Sequence, residues 1–156
     1  MTMNEPAATE NVNEFVTAVI GGQLFGLPIL QVQDVFAVTR LTRVPLAPPE
    51  IAGLLNLRGR IVTLIDLRRR FGFTVTAGGE QQMAIGIESN GESYGLLIDS
   101  VGEVMQLDAA AYEPVPINLD RQLAQVASGI YRLDGRLIVV ADVERILSIG
   151  NQDMAA

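Results

Sequence analysis

The 156-residue chain contains no cysteine, no histidine and no lysine. Without cysteine it can form no disulfide, no thiolate metal site and no cysteine nucleophile, a composition that fits a reducing compartment. Without histidine it has no imidazole to act as a general acid, to ligate a metal or to carry a phosphoryl group. All eleven basic residues are arginine, and nothing in the sequence explains that choice.

Basic charge and long apolar runs are also scarce. The net charge is −7 and the isoelectric point is near 4.5, which argues against binding to nucleic acid or to an anionic membrane. No apolar run approaches the roughly 18 residues that span a bilayer. The first 39 residues carry no lysine or arginine for a signal peptide. We therefore expect a cytoplasmic protein that does not insert into the membrane.

The chain does contain an internal repeat. Residues 22–35 return 69 positions later as residues 91–104, with six identities in fourteen positions, and residues 57–67 return 76 positions later as residues 133–143. Average residue usage would give about one match in fifteen by chance. Because the order of the blocks is kept, the sequence predicts two copies of one supersecondary unit, with about seven extra residues in the second copy.

This repeat sets the expected domain organisation. Each half alone would be marginally stable, because a chain of about 70 residues buries little apolar surface. We therefore predict one domain whose two subdomains share a core, with a polar tail at each end, the first of them disordered. The expected ranges are 14–149 for the domain, 15–75 and 82–149 for the subdomains, and 1–13 and 150–156 for the tails.

Most of the chain is typical of short strands separated by turns. The pattern predicts a hairpin from residues 15–20 and 24–29 and a short helix at 30–36. Residues 60–65 and 137–141 are almost continuously apolar, which indicates strands covered on both faces, and we place them in the middle of the molecule. Turn signals recur about every 8 to 12 residues, which favours small barrels over an α/β sheet.

Each of these two apolar strands is followed by an aspartate, Asp66 or Asp142. An aspartate before a short amphipathic segment is an ordinary helix N-cap, so we interpret the pair as caps rather than as catalytic carboxylates. Arg68, Arg69 and Arg70 follow the first cap. No P-loop, dinucleotide fingerprint or zinc ribbon occurs, so we interpret these arginines as a solvated helix face.

Two features indicate a binding surface between the copies. Arg58 lies in a Leu-Arg-Gly-Arg turn whose counterpart carries Asp134-Gly, the pair that suits a tight hairpin. If the two turns share their geometry, arginine there implies local strain on the order of 1 kcal/mol. We interpret Arg58 as functional, with an arginine that covers the barrel, or a turn of different geometry, as the alternatives. The matched segments around Val32 and Val101 carry more apolar residues than one packed stripe needs, which favours an apolar groove for a partner helix.

Residues 25–35, 51–71 and 94–104 resemble the CheW family of chemotaxis coupling proteins, and the match runs over about residues 15–149. Its most specific part is Asn-Leu-Arg-Gly before an apolar strand that ends in Asp-Leu-Arg. The resemblance implies a mainly β fold with two five-stranded, SH3-like barrel subdomains and short helices, without catalysis, cofactor or metal. It also implies an adaptor that bridges the cytoplasmic tips of chemoreceptors to the regulatory domain of the histidine kinase CheA. Other CheW-like proteins would be further partners in receptor arrays.

The same resemblance assigns site residues. The receptor would bind in the groove between the subdomains, onto Val32, Asp34, Arg58, Ile98 and Val101, where Asp34 stands in place of the glutamate that family members often have. The kinase would contact barrel ends, including the loop residues Glu113, Val115, Ile117 and Asn118.

Two other functions stay open on the sequence alone. One is a coupling protein for a non-chemotactic receptor–kinase cluster that controls surface motility or a second messenger. The other is a small β-barrel enzyme that uses carboxylates and arginine, which would require a deep polar pocket with perturbed carboxylate pKa values.

Overall fold

The structure is a computed structural model that describes residues 12–73 and 82–149. Within these ranges it consists mainly of strands, with three short helices and two 3₁₀ turns. The strands are β1 (Val12–Ile20), β2 (Gln23–Pro28), β3 (Val32–Val38), β4 (Ile51–Leu57), β5 (Arg60–Asp66), β6 (Gln82–Ser89), β7 (Glu92–Ile98), β8 (Ser100–Asp108), β9 (Ala127–Leu133) and β10 (Arg136–Ala141). The helices are α1 (Leu67–Phe71), α2 (Arg121–Ala124) and α3 (Val143–Ile146), and the 3₁₀ turns are Ile29–Gln31 and Ala109–Ala111.

The order of elements repeats along the chain. Strands β1 to β5 and helix α1 are matched by strands β6 to β10 and helix α3, and the repeated sequence blocks fall on the same elements in both copies. Helix α2 lies in the longer connection of the second copy, between β8 and β9. The internal duplication that the sequence predicts is therefore confirmed.

The strands form two five-stranded sheets. We call the sheet with the order β8-β1-β2-β10-β9 barrel A and the sheet with the order β3-β6-β7-β5-β4 barrel B. In each sheet, the chain that follows one edge strand pairs with the opposite edge strand. In barrel B, Thr42 follows β3 and pairs with Leu54 of β4, and in barrel A, Glu113 follows β8 and pairs with Ile130 of β9. Backbone hydrogen bonds of 2.7 to 2.9 Å make these two bridges. Each sheet therefore closes into a small barrel, as expected.

Neither barrel is built from one half of the chain. Barrel A takes the β1–β2 hairpin from the first copy and three strands from the second, and barrel B takes the β6–β7 hairpin from the second copy and three strands from the first. The parallel pairs β2–β10 and β5–β7 join the exchanged hairpins to their sheets. The expectation that residues 15–75 and 82–149 each form their own barrel is wrong, because the chain crosses to the other barrel directly after each hairpin.

Three hydrophobic clusters explain why the exchanged hairpins are stable. One lies inside barrel A and includes Phe15 and Tyr131, and a second lies inside barrel B and includes Leu55 and Leu64. The third, which we call the central cluster, draws buried side chains from both barrels and from all three helices. Each hairpin therefore buries one face inside a barrel and the other face between the barrels.

The two continuously apolar strands lie where the sequence predicts. On β10, Val140 faces the interior of barrel A, while Val139 belongs to the central cluster. On β5, Leu64 faces the interior of barrel B, while Ile65 belongs to the central cluster. Burial on both faces removes the polar positions that a half-exposed strand would show, so the prediction of covered central strands is confirmed.

The short helix predicted at residues 30–36 is wrong. The chain forms the 3₁₀ turn Ile29–Gln31 and then strand β3, which pairs with β6. A register shift between Val32 and Asp34 marks a bulge in this pairing. An extra residue breaks the strict alternation of a strand, so Val32 and Phe36 fall at a spacing that resembles a helical stripe.

The ends of the chain differ slightly from expectation. Strand β1 begins at Val12, so the predicted tail 1–13 extends two residues too far, and its remaining part lies outside the described residues, as does the predicted tail 150–156. In the part of the chain that the structure describes, no helix is long and apolar enough to cross a membrane.

Both predicted helix caps are present. The carboxylate of Asp66 accepts hydrogen bonds from the backbone N–H groups of Arg68, at 3.0 Å, and Arg69, at 3.4 Å. Asp142 caps α3 by accepting a bond of 3.2 Å from the N–H of Arg145. These contacts satisfy helix donors that have no intrahelical partner, so the two aspartates are structural.

Candidate partner-binding groove

Arg58 occupies a strained position in the turn between β4 and β5. Its φ angle is +54° and that of Gly59 is +83°, the pattern of a tight hairpin turn that glycine and asparagine favour. The N–H of Gly59 donates to the Asn56 Oδ1 atom at 3.0 Å and supports this geometry. Asp134, in the matching turn, is not among the described non-glycine residues with positive φ. The strain therefore belongs to the first copy alone.

The apolar residues of the proposed groove lie at the two crossings between the barrels. Val32 begins β3 directly after the first crossing and packs against the central cluster. Ile98 ends β7 before the second crossing and is buried in the same cluster. Val101, just after that crossing on β8, leaves 42% of its surface exposed. Val32 and Ile98 therefore both pack in or against the central cluster, and Val101 is the most accessible of the three.

Asp34 lies half-buried on β3, opposite Gly86 of β6. A Cβ atom at Gly86 would collide with the Asp34 Oδ1 atom, so glycine at that position makes room for the carboxylate. Arg58 is exposed and forms no ion pair with Asp34 or with any other described residue. Neither side chain therefore makes an ion pair with another described residue.

The four predicted kinase-contact residues do not share one environment. Glu113 pairs with Arg132 at 3.0 Å, and its backbone makes the bridge that closes barrel A. Val115 packs against the central cluster. Ile117 is fully exposed, and Asn118 beside it is exposed as well. The loop is thus fixed at its start and presents an aliphatic side chain to solvent at its tip.

Asp99 makes a contact that sequence reasoning missed. It is the single residue between β7 of barrel B and β8 of barrel A. Its carboxylate accepts bonds from Nε and Nη2 of Arg68 on α1, at 2.9 and 2.6 Å, and from the N–H of Gly21 in the β1–β2 turn, at 2.9 Å. One carboxylate therefore joins the crossing, helix α1 and the exchanged hairpin of barrel A.

The arginine face of α1 is correspondingly less solvated than predicted. Arg68 is engaged by Asp99, and Arg70 donates to the carbonyl oxygens of Ile146, at 3.0 Å, and Arg145, at 2.7 Å. Burial lowers the pKa of Arg70, and the nearby Glu50 charge partly opposes that shift. Arg69 alone matches the expectation, since it is exposed and makes only a loose pair of 3.7 Å with Asp66. The contacts of Arg68 and Arg70 join residues 31 and about 75 positions apart along the chain, so a local sequence pattern does not predict them.

The charge state of Asp99 follows from this environment. Burial alone would raise its pKa, but the hydrogen bonds from Arg68 and from the Gly21 backbone, with the Arg68 charge, outweigh burial and lower it. The same hydrogen bond raises the pKa of Arg68. A lowered pKa keeps the carboxylate ionised, which is the opposite of what a general acid of a carboxylate enzyme needs.

We expect Asp99→Asn to lower the free energy of unfolding at pH 7 by about 0.5–1 kcal/mol, because charge-assisted bonds from a guanidinium are lost and solvent screens this exposed pair. The folded-state pKa is lowered, so this stabilisation is complete above the unfolded-state value of about 3.9 and is lost as the pH falls through the folded-state value. Urea unfolding of both proteins at pH 7 and at stepwise lower pH measures the difference.

Arg68→Gln and the double variant complete a thermodynamic cycle, because Arg68 has other interactions that the cycle cancels. A difference between wild type and Asp99→Asn that stayed constant down to acid pH would contradict the assigned ion pair.

No group of three or more carboxylates that could hold a metal ion occurs among residues 12–73 and 82–149. The described residues include an exposed, strained arginine, a half-buried aspartate and apolar side chains at both barrel crossings. Charged and apolar groups of this kind are common in protein–protein interfaces.

Comparison with known proteins identifies a family. The family model described as a CheW-like domain matches residues 14–150. The chain is 29% identical over 154 residues to the chemotaxis protein CheW of Klebsiella aerogenes, covering 99% of this chain and 92% of that one. It is 30% identical over 138 residues to the chemotaxis protein CheW of Helicobacter pylori, covering 88% and 83% of the two chains. The crystal structure of the scaffolding protein TtCheW from Thermoanaerobacter tengcongensis superposes with a TM-score of 0.80 at 29% identity, over 88% of this chain and 94% of that one.

Proposed function

This chain belongs to the CheW-like domain family, and we propose that it is a non-enzymatic adaptor that couples the cytoplasmic tips of chemoreceptors to a CheA-type histidine kinase. The match over nearly the whole length of proteins named chemotaxis protein CheW supports the pathway. The likeness to a protein described as a scaffold supports a role in assembly.

The observation that carries the receptor half of this proposal is the backbone of Arg58. A non-glycine residue at φ +54° is held in a conformation that costs folding free energy. Its side chain is exposed and makes no ion pair with a described residue that would offset this cost. We therefore infer that Arg58 contacts a binding partner, since arginine is a common anchor residue in protein interfaces.

Apolar surface beside the crossings supports a helical partner. Val32 and Val35 on β3 correspond through the repeat to Val101 and Val104 on β8. Val35, Val101 and Val104 expose 38%, 42% and 51% of their surface. Valines on two matched strands offer an apolar face on each barrel, which suits one stripe of an amphipathic helix, and Asp34 and Arg58 supply polar contacts at its edge.

The kinase half of the proposal rests on the loop at Glu113. Its two backbone bonds to Ile130 and its ion pair with Arg132 fix where the loop leaves barrel A. Ile117 then stands fully exposed. An aliphatic side chain on a fixed loop can insert into a partner pocket with little loss of conformational entropy. When both surfaces are occupied, a change in receptor state can bias the attached kinase.

The two surfaces should be separable by mutation. We expect Val101→Arg to weaken the binding of a receptor-tip fragment about tenfold or more, because a docking helix would lose contact area or bury an unpaired guanidinium. Glu113→Arg should instead weaken the binding of the kinase regulatory domain. The loss of affinity should be larger at low salt, because the substitution reverses a charge near the contact. Titration calorimetry of each variant against each partner measures both effects.

Asp134→Arg is the control for Glu113→Arg, since it makes the same charge change at an exposed turn outside both surfaces. Circular dichroism should first establish that all three variants fold. The assignment of surfaces would be refuted if Val101→Arg weakened both partners equally, or if Glu113→Arg affected the receptor fragment alone.

A further inference from the structure

The three helices border a cavity of about 480 Å³, a volume within the range of small-molecule sites. It is lined by Arg70 of α1, by Gln125 directly after α2, and by Arg145 and Ser148 at the end of α3. Gln125 and Arg145 are exposed, and Arg70 and Ser148 are half-buried. The cavity is therefore open to a molecule in solution, and we call it the Arg70 pocket.

Two hydrogen bonds hold the Arg70 guanidinium at this pocket. Its Nε atom donates to the carbonyl oxygen of Ile146 at 3.0 Å, and its Nη2 atom donates to that of Arg145 at 2.7 Å. These bonds satisfy carbonyl groups at the C-terminal end of α3. They leave the Nη1 group without a hydrogen bond to a described residue. This donor is thus held in place before any ligand arrives, which lowers the entropic cost of binding.

The charge of Arg70 is not paired within the described chain. None of the ion pairs among residues 12–73 and 82–149 includes it, and both of its hydrogen bonds go to uncharged carbonyl oxygens. Burial lowers the pKa of Arg70, and the nearby Glu50 charge opposes that shift only in part. A guanidinium that has lost hydration water without gaining a carboxylate partner favours an anion beside it.

Arg145 supplies a second guanidinium. Its Nη1 atom donates to the Ala127 carbonyl oxygen at 3.3 Å, and its Nε atom lies 3.4 Å from the Asp142 Oδ2 atom. Its Nη2 group makes no hydrogen bond to a described residue, and neither does the side-chain amide of Gln125. The pocket therefore offers unengaged N–H donors from two guanidinium groups and one amide.

The duplication supplies an internal comparison. Arg145 corresponds through the repeat to Arg69, which makes a similar loose pair with its own capping aspartate but does not line the pocket. Arg70 corresponds to Ile146, which is buried. The meeting of two arginines is therefore particular to this pocket, and Arg69 is the matched control for Arg145.

We propose that the Arg70 pocket binds a phosphate group, either as inorganic phosphate or as part of a small phosphomonoester. The Nη1 group of Arg70, the Nη2 group of Arg145 and the amide of Gln125 would donate to its oxygens. Donors from three elements suit a tetrahedral group better than a planar carboxylate, which has only two oxygens. The net charge of −7 does not prevent binding, because salt screens charges more than about 8 Å away. This site shares no residue with the receptor and kinase surfaces proposed above and does not depend on them.

Inorganic phosphate and glycerol 3-phosphate are the probes, acetate is the carboxylate control, and sodium chloride keeps the ionic strength constant. We expect phosphate to bind the full chain with a dissociation constant of about 5 mM or lower, and acetate to bind about tenfold more weakly. Chemical-shift changes at the amides of Gln125, Arg145 and Ser148 in ¹⁵N-labelled protein would follow each titration. Tighter binding of glycerol 3-phosphate than of phosphate would identify an ester as the ligand, and equal or weaker binding would identify inorganic phosphate.

Matched variants of the two helices provide a second test. We expect Arg145→Gln to weaken phosphate binding about tenfold and Arg69→Gln to change it less than about twofold, because only Arg145 lines the pocket. Arg70→Met should abolish the phosphate-dependent shifts in protein that circular dichroism shows to be folded. Gln125→Leu alters an exposed residue, keeps both arginines, and should weaken phosphate binding about threefold.

Three results would overturn the proposal. The first is wild-type protein that shows no shift up to about 50 mM phosphate, a tenfold excess over the expected dissociation constant. The second is acetate binding as tightly as phosphate. The third is an equal loss of phosphate affinity in Arg145→Gln and Arg69→Gln, which would indicate a general effect of charge.

Discussion

Residues 1–73 and residues 82–156, expressed as separate polypeptides, will each fail to fold, and mixing them will restore one folded complex. The first fragment carries two strands of barrel A and three of barrel B, and the second carries the complement. In either fragment alone, both barrels would lack part of their sheets, and the side chains that form the central cluster would be exposed to water. Circular dichroism during urea unfolding should show no cooperative transition for either fragment and one transition for the equimolar mixture.

The intact chain is the control, and it should unfold in one cooperative step, because the exchanged hairpins leave no half that is stable alone. Two barrels that were each formed from one half would behave differently, since at least one fragment would then unfold cooperatively by itself. Such a transition in either fragment would contradict the exchanged topology.

Arg58→Gly will weaken the binding of a receptor-tip fragment about thirtyfold or more, the effect of losing an interface anchor worth about 2 kcal/mol. The same change should leave the free energy of unfolding unchanged or raise it by up to about 1 kcal/mol, because glycine adopts φ +54° without strain. Calorimetric titration and urea unfolding of the same preparation measure the two quantities.

Asp134→Gly is the matched control in the other hairpin turn, where the replaced residue has no positive φ. It should leave receptor affinity unchanged and give no stabilisation, because it relieves no strain. Arg58→Ala should also lose receptor affinity while lowering the free energy of unfolding by no more than about 1 kcal/mol, as expected for an exposed site. If the folded Arg58→Gly protein bound the receptor fragment with wild-type affinity, Arg58 would not contribute to receptor binding and this assignment would be wrong.

The duplication, the barrels and the central strands could be predicted because they leave local marks. Burial of β5 and β10 on both faces gives two matched apolar runs, and each capping aspartate follows its strand directly. The exchange of hairpins leaves no such mark. A parallel pair such as β2–β10 forms between residues more than 100 positions apart, and the same strands with the same hydrophobic pattern would suit two unexchanged barrels.

The candidate site was predictable to a similar degree. Arg58 stands out in the sequence because Arg-Gly is an unusual pair for a tight turn, and the structure places it at positive φ. Asp99 does not stand out, because its role depends on the crossing that brings it to Arg68.

The most direct test of the adaptor function is co-sedimentation of a CheA-type kinase with assembled receptor-tip fragments, with and without this chain. The account predicts that the chain sediments with the receptor fragments and that it markedly increases the amount of kinase in the pellet. It also predicts that the Arg58→Gly protein does neither while it still binds the kinase in solution. An unchanged amount of kinase in the pellet, with the folded wild-type chain present in excess, would contradict the proposed function.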